Sequence, residues 1–303
     1  MNHKLSTLVV LAAAATLSPA GHAGAQPLSH SANPIPGVKV HFAQFETNKI
    51  YYLTAGEGAK TLVFIHGWSG NSGFWREQIP ALTNLARLVL VDLPGHGQSA
   101  KPHVDYTPDY FARGVIAVMR DAGADKATVI GHSMGVPVLC RVHAQAPDKV
   151  AGLVAVDGLL RRPQFKPEDA EKYLAPYRTA DFREHVTKFV QSMFPEAATF
   201  PLRDRVVAEV LATPPYVMSS AMHGMFGTNQ PAWDTRDVKV PVLTLNAPNA
   251  RWNADYEAYA RGLSPKSDYK VIEGTGHCLM LEKPAEFNAA LVSMLQKFDL
   301  VKK

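Results

Sequence analysis

One short segment limits the possible folds more than any other part of the chain. Residues 127–130 form an apolar, β-branched run that leads directly into Gly131-His-Ser133-Met-Gly135, and an apolar helical pattern follows and stops before Pro147. A strand, Gly-x-Ser-x-Gly and a helix in this order predict a sharp turn that holds the serine exposed and strained, while the glycines let neighbouring backbone approach. The segment therefore predicts a nucleophilic serine at the end of a buried strand.

The rest of the chain alternates strand-like runs with longer helical patterns. One helix begins at the Thr107-Pro108 pair, a typical cap and first turn, and the last begins at Pro284. Eight segments have the composition of strands: 38–45, 50–53, 61–65, 88–91, 127–130, 150–156, 240–245 and 269–272. This alternation predicts an α/β fold with a mainly parallel sheet, and a chain of 303 residues is long enough to bury a large core.

The interval from 158 to 237 breaks this alternation. It contains no convincing strand, and its helical patterns lie near 167–177, 181–194, 202–211 and 216–226. A loop of roughly 80 residues without secondary structure would be unusual in a compact domain. We expect a helical insertion that lies over one edge of the sheet.

The first 25 residues differ from the rest in composition. Lys4 precedes a run over 5–17 that is almost wholly apolar, and Ala23-Gly-Ala25 is a small-residue cleavage pattern before Gln26. These features predict a secretory signal over 1–25, and hence a secreted or periplasmic protein, with a linker over 26–37. A retained membrane anchor is the weaker alternative, because the apolar run is short for a bilayer span.

The charge, motif content and cysteines of the chain limit the partners, cofactors and disulfides that we expect. The chain has 31 basic and 27 acidic residues, and no basic cluster is longer than the pair Arg161-Arg162, so we expect neither a nucleic-acid nor a lipid partner. The sequence contains no pair of histidines with an acid at the spacing of a metal site, no phosphate loop and no dinucleotide fingerprint. We therefore expect no cofactor or metal. Cys140 and Cys278 either pair or serve as small buried hydrophobes. A monomer is the default expectation.

Two further motifs lie where a nucleophilic serine needs partners. The strand over 61–65 ends in His66-Gly-Trp68, a turn that can direct the backbone N–H of Trp68, together with that of Met134, at a developing oxyanion. After the last strand, Gly276-His277 places a histidine in a glycine-rich loop. In such sites the nucleophile comes first along the chain and the base comes last.

These motifs, with the segment from Asp92 to Ser99 (Asp-Leu-Pro-Gly-His-Gly-Gln-Ser), resemble the α/β-hydrolase family in its branch with a helical cap. The resemblance extends from about residue 38 to 300. It implies an eight-stranded, mostly parallel sheet with a helical cap after the sixth strand, a Ser-His-acid triad, no cofactor, and substrate entry beneath the cap. The core would then comprise 38–157 and 238–303, and the cap 158–237.

The acid of the triad is where this sequence departs from the family pattern. Most relatives carry it shortly after the seventh strand, but residues 246–253 contain no carboxylate. Asp157, at the end of the sixth strand, is favoured, because in the family's strand order that strand lies beside the one that carries Ser133. Asp157 as a turn cap remains an alternative. Asp255 is the second candidate acid, with helix N-cap as its alternative role.

Other conspicuous residues have less direct roles. His66 and His96 are interpreted as structural, Asp92 as tying down its own turn, and His132 as a wall of the substrate pocket. An apolar helical face in the insertion either packs in the core or lines an adaptable acyl pocket above the serine. Its members are Met218, Met222, Met225 and Phe226.

The sequence thus predicts an exported serine hydrolase that cleaves a small or medium hydrophobic ester through an acyl-enzyme. Other chemistry of the same family stays open: carbon–carbon bond hydrolysis, aminopeptidase, lactonase or cofactor-free perhydrolase activity. A ligand-sensing protein that binds without turnover is the alternative from a different class.

Overall fold

The structure is a computed structural model that places most of the chain after the N-terminal segment. It describes residue 28 and residues 34–164, 166–195, 200–227, 233, 236 and 238–302. The predicted signal over 1–25 and most of the predicted linker over 26–37 lie outside the described residues. Within the described part of the chain, none of the helices has both the length and the apolar character needed to cross a bilayer.

Eight strands form one sheet in the order β1-β2-β4-β3-β5-β6-β7-β8. The pairs β1–β2 and β2–β4 are antiparallel and the other five are parallel, which confirms the predicted fold class. The sequence prediction places every strand end within two residues of its position in the structure. The strands are β1 (Lys39–Phe45), β2 (Asn48–Ala55), β3 (Thr61–Ile65), β4 (Arg87–Val91), β5 (Ala127–His132), β6 (Val150–Val156), β7 (Val242–Asn246) and β8 (Ser267–Val271).

Helices alternate with these strands along the chain. The Thr107 side chain caps α2 by accepting from the backbone N–H of Tyr110, as the Thr-Pro pair predicts. The helices are α1 (Ile79–Leu82), α2 (Pro108–Asp121), α3 (Gly135–Gln145), α4 (Pro167–Leu174), α5 (Phe182–Gln191), α6 (Phe200–Leu211), α7 (Pro215–Phe226), α8 (Ala254–Gly262), α9 (Leu279–Glu282) and α10 (Pro284–Lys297).

The described parts of the segment between β6 and β7 contain α4, α5, α6 and α7, where the sequence predicts helices. Hydrogen bonds join this segment to loops at the carboxyl ends of the strands. The Trp68 indole N–H donates to the carbonyl of Met218 at 3.0 Å, and the His277 N–H donates to that of Met193 at 2.9 Å. The bounds 158–237 of a separate cap stay a prediction.

The core lies between the sheet and its flanking helices. Strands β3 and β5 are buried along their whole length, as expected for parallel strands covered on both faces. Cys140 and Cys278 are both buried thiols that form no disulfide with each other, so the interpretation as small buried hydrophobes is correct and the disulfide alternative is wrong.

The glycines around the serine permit close packing of α3 against both β5 and β3. A Cβ on Gly131 would lie 2.2 Å from the carbonyl oxygen of Gly135, and a Cβ on Gly135 would lie 2.6 Å from that of Ile65. Both contacts are with backbone, which cannot move aside cheaply. The sequence motif is therefore a packing requirement as well as a site for the serine.

We predict that Gly131→Ala lowers the free energy of unfolding by about 2 kcal/mol, because the added methyl overlaps the backbone of α3. The matched control is Gly262→Ala. An added Cβ there meets nothing within 4 Å, and the residue lies in α8, so its stability should be unchanged or slightly raised. Urea unfolding followed by circular dichroism measures both, and equal losses in the two variants would contradict the packing argument.

Candidate active site

Ser133 directly follows β5, at the turn into α3. Its φ of +53° is in the left-handed region, which residues other than glycine seldom adopt. The turn is fixed on both sides, because the Ser133 N–H donates to the Val156 carbonyl at 2.9 Å and the Val136 N–H donates to the Ser133 carbonyl at 3.0 Å. The side chain is half-buried and borders a cavity. The structure therefore presents the serine in the strained turn that the motif predicts.

Asp157 lies beside Ser133 because of the register between β5 and β6. His132 pairs with Val156, so the next residue of each strand emerges side by side at the carboxyl edge of the sheet. Asp157 also has a positive φ, +42°, and its N–H donates to the Leu245 carbonyl at 2.9 Å. The two adjacent residues are thus both held in left-handed backbone conformations.

The carboxylate of Asp157 accepts hydrogen bonds from three donors. Its Oδ2 lies 2.5 Å from Nδ1 of His277, and its Oδ1 accepts from the N–H of Ala247 and from the indole N–H of Trp252, both at 2.9 Å. Burial by itself would raise the pKa of Asp157, but the hydrogen bond and charge of His277 and the Ala247 amide outweigh it, so the pKa is lowered. The carboxylate is therefore ionised at neutral pH.

His277 is carried by a loop whose backbone is tied down on both sides. The carboxylate of Glu282 accepts from the N–H of Gly276 at 2.8 Å and from that of Cys278 at 3.0 Å. The His277 N–H itself donates to the Met193 carbonyl. Sequence reasoning missed Glu282, which lies five residues after the histidine, because no sequence motif marks its contacts with the loop backbone. The loop geometry therefore fixes the direction of the imidazole.

His132 is a neutral side chain packed against His277. Its Nε2 lies 2.8 Å from the His277 carbonyl and so carries the proton, and the two ring centroids are 4.7 Å apart. Burial lowers the pKa of His132 to about 3, and the nearby His277 adds to this effect. His132 is thus uncharged at neutral pH and forms part of the cavity wall, the position in which the sequence interpretation places it.

Trp68 and Met134 border the same cavity, as candidate oxyanion donors must. None of the turn and loop hydrogen bonds between described residues uses the backbone N–H of either residue. The loop that carries Trp68 also approaches the serine closely, since a Cβ on Gly67 would lie 3.2 Å from that of Ser133. Both amides are therefore available to a substrate oxygen.

The cavity has a volume of about 450 Å³, within the range of small-molecule sites. Ser133, His277 and Asp157 all border it, although no hydrogen bond joins the Ser133 hydroxyl to the imidazole among the described residues. Its apolar lining includes side chains from the helices between β6 and β7: Tyr173, Phe189, Val190, Val206, Val210, Met222, Met225 and Phe226.

Two of the sequence candidates lie elsewhere. Met218 is buried but does not border the cavity, and its carbonyl accepts the Trp68 indole, so the structure places this residue in the core, the other role that the sequence leaves open. Asp255 is exposed in the first turn of α8 and does not border the cavity. The α8 N-cap is Asn253, which accepts from the Tyr256 N–H, so the N-cap alternative for Asp255 is also wrong.

The remaining polar residues of the sequence motifs have structural contacts. Buried Asp92 accepts from the N–H groups of Ser72 and Gln98 at 2.6 and 2.7 Å. His66 accepts from the Leu93 N–H, and burial lowers the pKa of His66 well below its ordinary value and that of His96 to about 4. In the part of the chain that the structure describes, no group of three or more His, Cys, Asp or Glu side chains is arranged to hold a metal ion.

Residues 62–290 match the alpha/beta hydrolase family. The chain belongs to this family, and the eight-stranded sheet and the serine turn agree with that membership. Its chemistry is accordingly that of a hydrolase.

Several known proteins resemble the chain over most of its length. It is 27% identical over 261 residues to the dihydrolipoyllysine-residue acetyltransferase component of the acetoin cleaving system of Cupriavidus necator, covering 82% of this chain and 67% of that protein. It is 28% identical over 275 residues to the pimeloyl-[acyl-carrier protein] methyl ester esterase of Serratia marcescens. That match covers 82% of this chain and 97% of that protein. The crystal structure of bromoperoxidase from Bacillus anthracis has a similar fold, with a TM-score of 0.75 and 21% sequence identity. The match covers 85% of this chain and 100% of that structure.

We predict that the free energy of unfolding decreases more steeply with falling pH in the wild type than in the variant Asp157→Asn. The pKa of Asp157 is lower in the folded than in the unfolded chain, so its ionised form stabilises the fold above an unfolded pKa of about 4. That contribution is lost as the pH falls through the lowered folded value. Urea unfolding between about pH 6 and about pH 3 measures the difference.

The exposed Asp255→Asn is the matched control, because it makes the same chemical change outside the cavity. Its stability should follow the wild-type pH dependence. If Asp157→Asn also follows the wild type, the folded structure does not favour the ionised carboxylate, and the hydrogen-bond assignment at Asp157 would have to be revised.

Proposed function

We propose that the protein is a serine hydrolase that cleaves the ester bond of a small or medium hydrophobic substrate. The observation that carries the proposal is the hydrogen bond between Asp157 and Nδ1 of His277, beside a strained, accessible Ser133 on the same cavity. An acid that holds one ring nitrogen leaves the other free to accept a proton, which is the arrangement that activates a serine.

The proposed reaction begins when the Ser133 oxygen attacks the ester carbonyl and His277 Nε2 takes the hydroxyl proton. Asp157 fixes the tautomer with the proton on Nδ1 and stabilises the imidazolium that forms. The proton on Nε2 then passes to the leaving alcohol, which departs to give an acyl-enzyme. Water, deprotonated by the same nitrogen, releases the acid and restores the serine.

The backbone N–H groups of Trp68 and Met134 are proposed to stabilise the negative charge on the carbonyl oxygen. Both amides belong to rigid turns beside the serine, so they need no reorganisation when the charge develops. Loss of one such donor typically costs on the order of 3 kcal/mol in the barrier. The Trp68 indole bond to the Met218 carbonyl helps to keep the first of these turns in place.

The substrate class follows from the cavity and from one relative. The lining is mainly apolar and includes flexible methionine side chains, Met193, Met222 and Met225, which adapt to differently shaped acyl groups. The similar protein of Serratia marcescens is named a methyl ester esterase. Together these favour a hydrophobic ester over a highly polar one.

We predict that Ser133→Ala abolishes turnover of a nitrophenyl ester, because the nucleophile is removed. Asp157→Asn should lower kcat by about four powers of ten, as expected when the orienting acid is lost, whereas Asp255→Asn should change it by less than about twofold. Steady-state rates, with circular dichroism to show that each variant is folded, provide the measurement.

The ranking of the two aspartates decides the acid. If Asp255→Asn lost the activity and Asp157→Asn kept it, the assignment of Asp157 would be refuted. A stoichiometric burst without further turnover in the wild type would instead favour a protein that senses a ligand through its serine.

We also propose that the protein is exported and acts as a monomer outside the cytoplasm. The charged start, apolar run and Ala23-Gly-Ala25 pattern support cleavage before Gln26. The full-length protein made in a bacterial host should appear in the periplasm or medium with Gln26 as its first residue, as read by N-terminal sequencing. An intact N-terminus on membrane-bound protein would instead support the retained anchor.

A further inference from the structure

The cavity contains one charged side chain that the proposed reaction does not use. Among the described residues of its lining, the charged side chains apart from histidine are Asp157 and Arg251. The Asp157 carboxylate is fully engaged by His277, Ala247 and Trp252. The guanidinium of Arg251 forms no ion pair with any described residue.

Arg251 is presented by a loop with a fixed backbone. Its own N–H donates to Oδ1 of Asn249 at 3.0 Å, and the N–H of Trp252 donates to the Asn249 carbonyl at 3.0 Å. The Trp252 indole in turn reaches the catalytic carboxylate. The attachment point of the Arg251 side chain is therefore held on both sides by hydrogen bonds, and one of those neighbours touches the proposed active site directly.

The side chain of Arg251 is exposed, and its charge acts on another residue of the cavity lining, Tyr173. Burial raises the pKa of Tyr173 on α4, and the positive charge of Arg251 opposes this rise. Tyr173 also borders the cavity. Arg251 thus borders the same largely apolar cavity as the Tyr173 phenol, and no carboxylate among the described residues forms an ion pair with its guanidinium.

We propose that Arg251 binds a carboxylate of the substrate, so that the preferred substrates are esters with an apolar chain and a carboxylate remote from the bond that is cleaved. The inference rests on the proposed function of the same cavity. A planar guanidinium offers paired N–H donors that match the two oxygens of a carboxylate. A substrate amine would find no free acid in the described lining, and it would be repelled by Arg251.

The test compares matched esters that differ by one carboxylate. Methyl hexanoate is the neutral reference, the monomethyl ester of hexanedioic acid carries the charge on the acyl side, and a hexanoate ester of a hydroxy acid carries it on the alcohol side. We expect the wild type to prefer at least one of the charged esters by about fivefold in kcat/KM, the size expected of a partly exposed ion pair. The preference should shrink as salt is added.

The variant Arg251→Gln should remove the preference and leave kcat/KM for methyl hexanoate nearly unchanged, while Arg251→Lys should keep part of it. Arg120→Gln is the matched control, because Arg120 is exposed on α2 and does not border the cavity, so the same loss of charge there should leave the preference intact. A change of equal size in Arg120→Gln would indicate a long-range charge effect and would refute a specific contact.

Two failures can be told apart. If the wild type hydrolyses methyl hexanoate but shows no preference for either charged ester, or if the preference survives in Arg251→Gln, the assignment of Arg251 is refuted and the esterase proposal stands. If the wild type hydrolyses none of the three esters faster than Ser133→Ala does, the proposed function itself fails.

Discussion

The hydrogen bond between Asp157 and His277 is the interaction on which the rest of the site depends. A buried carboxylate is costly unless it is fully hydrogen-bonded, and here the three donors come from two separate loops: the Ala247 amide and the Trp252 indole follow β7, and the imidazole follows β8. Strand β7 must end beside β6 and the last loop must fold back over the sheet for all three to meet. The ionised acid therefore links the active site to the correct assembly of the C-terminal half of the sheet.

Two neighbouring residues in left-handed conformations are an unusual concentration of backbone strain, on the order of 1–3 kcal/mol each. Ser133 and Asp157 both occur at the point where a parallel strand ends, and both N–H groups are bonded to the carbonyl of the next strand. Gly158 completes the arrangement, since a Cβ there would lie 2.7 Å from the Ser133 carbonyl oxygen. The sheet thus holds two side chains in positions that neither residue would adopt by itself.

The sequence predicts features that are local or that follow from strand order, and it misses those that depend on long-range packing. The turn at Ser133 is encoded within nine residues, and the placement of Asp157 needs only the knowledge that β5 and β6 are neighbours. The contacts of Trp252 and Glu282 carry no sequence pattern of comparable strength. Met218 shows a further limit, because helical spacing groups it with Met222 but does not reveal which of the two faces the cavity.

The loop after β7 combines two properties that are usually considered separately. It supplies the amide and the indole that hold the Asp157 carboxylate, and it carries Arg251, the charge that we propose selects the substrate. A loop without its own acid can take on this second role if, as we propose, Asp157 supplies the acid from the end of β6. Since Trp252 adjoins Arg251 and donates to the Asp157 carboxylate, the backbone of Arg251 is held close to the proposed reacting groups.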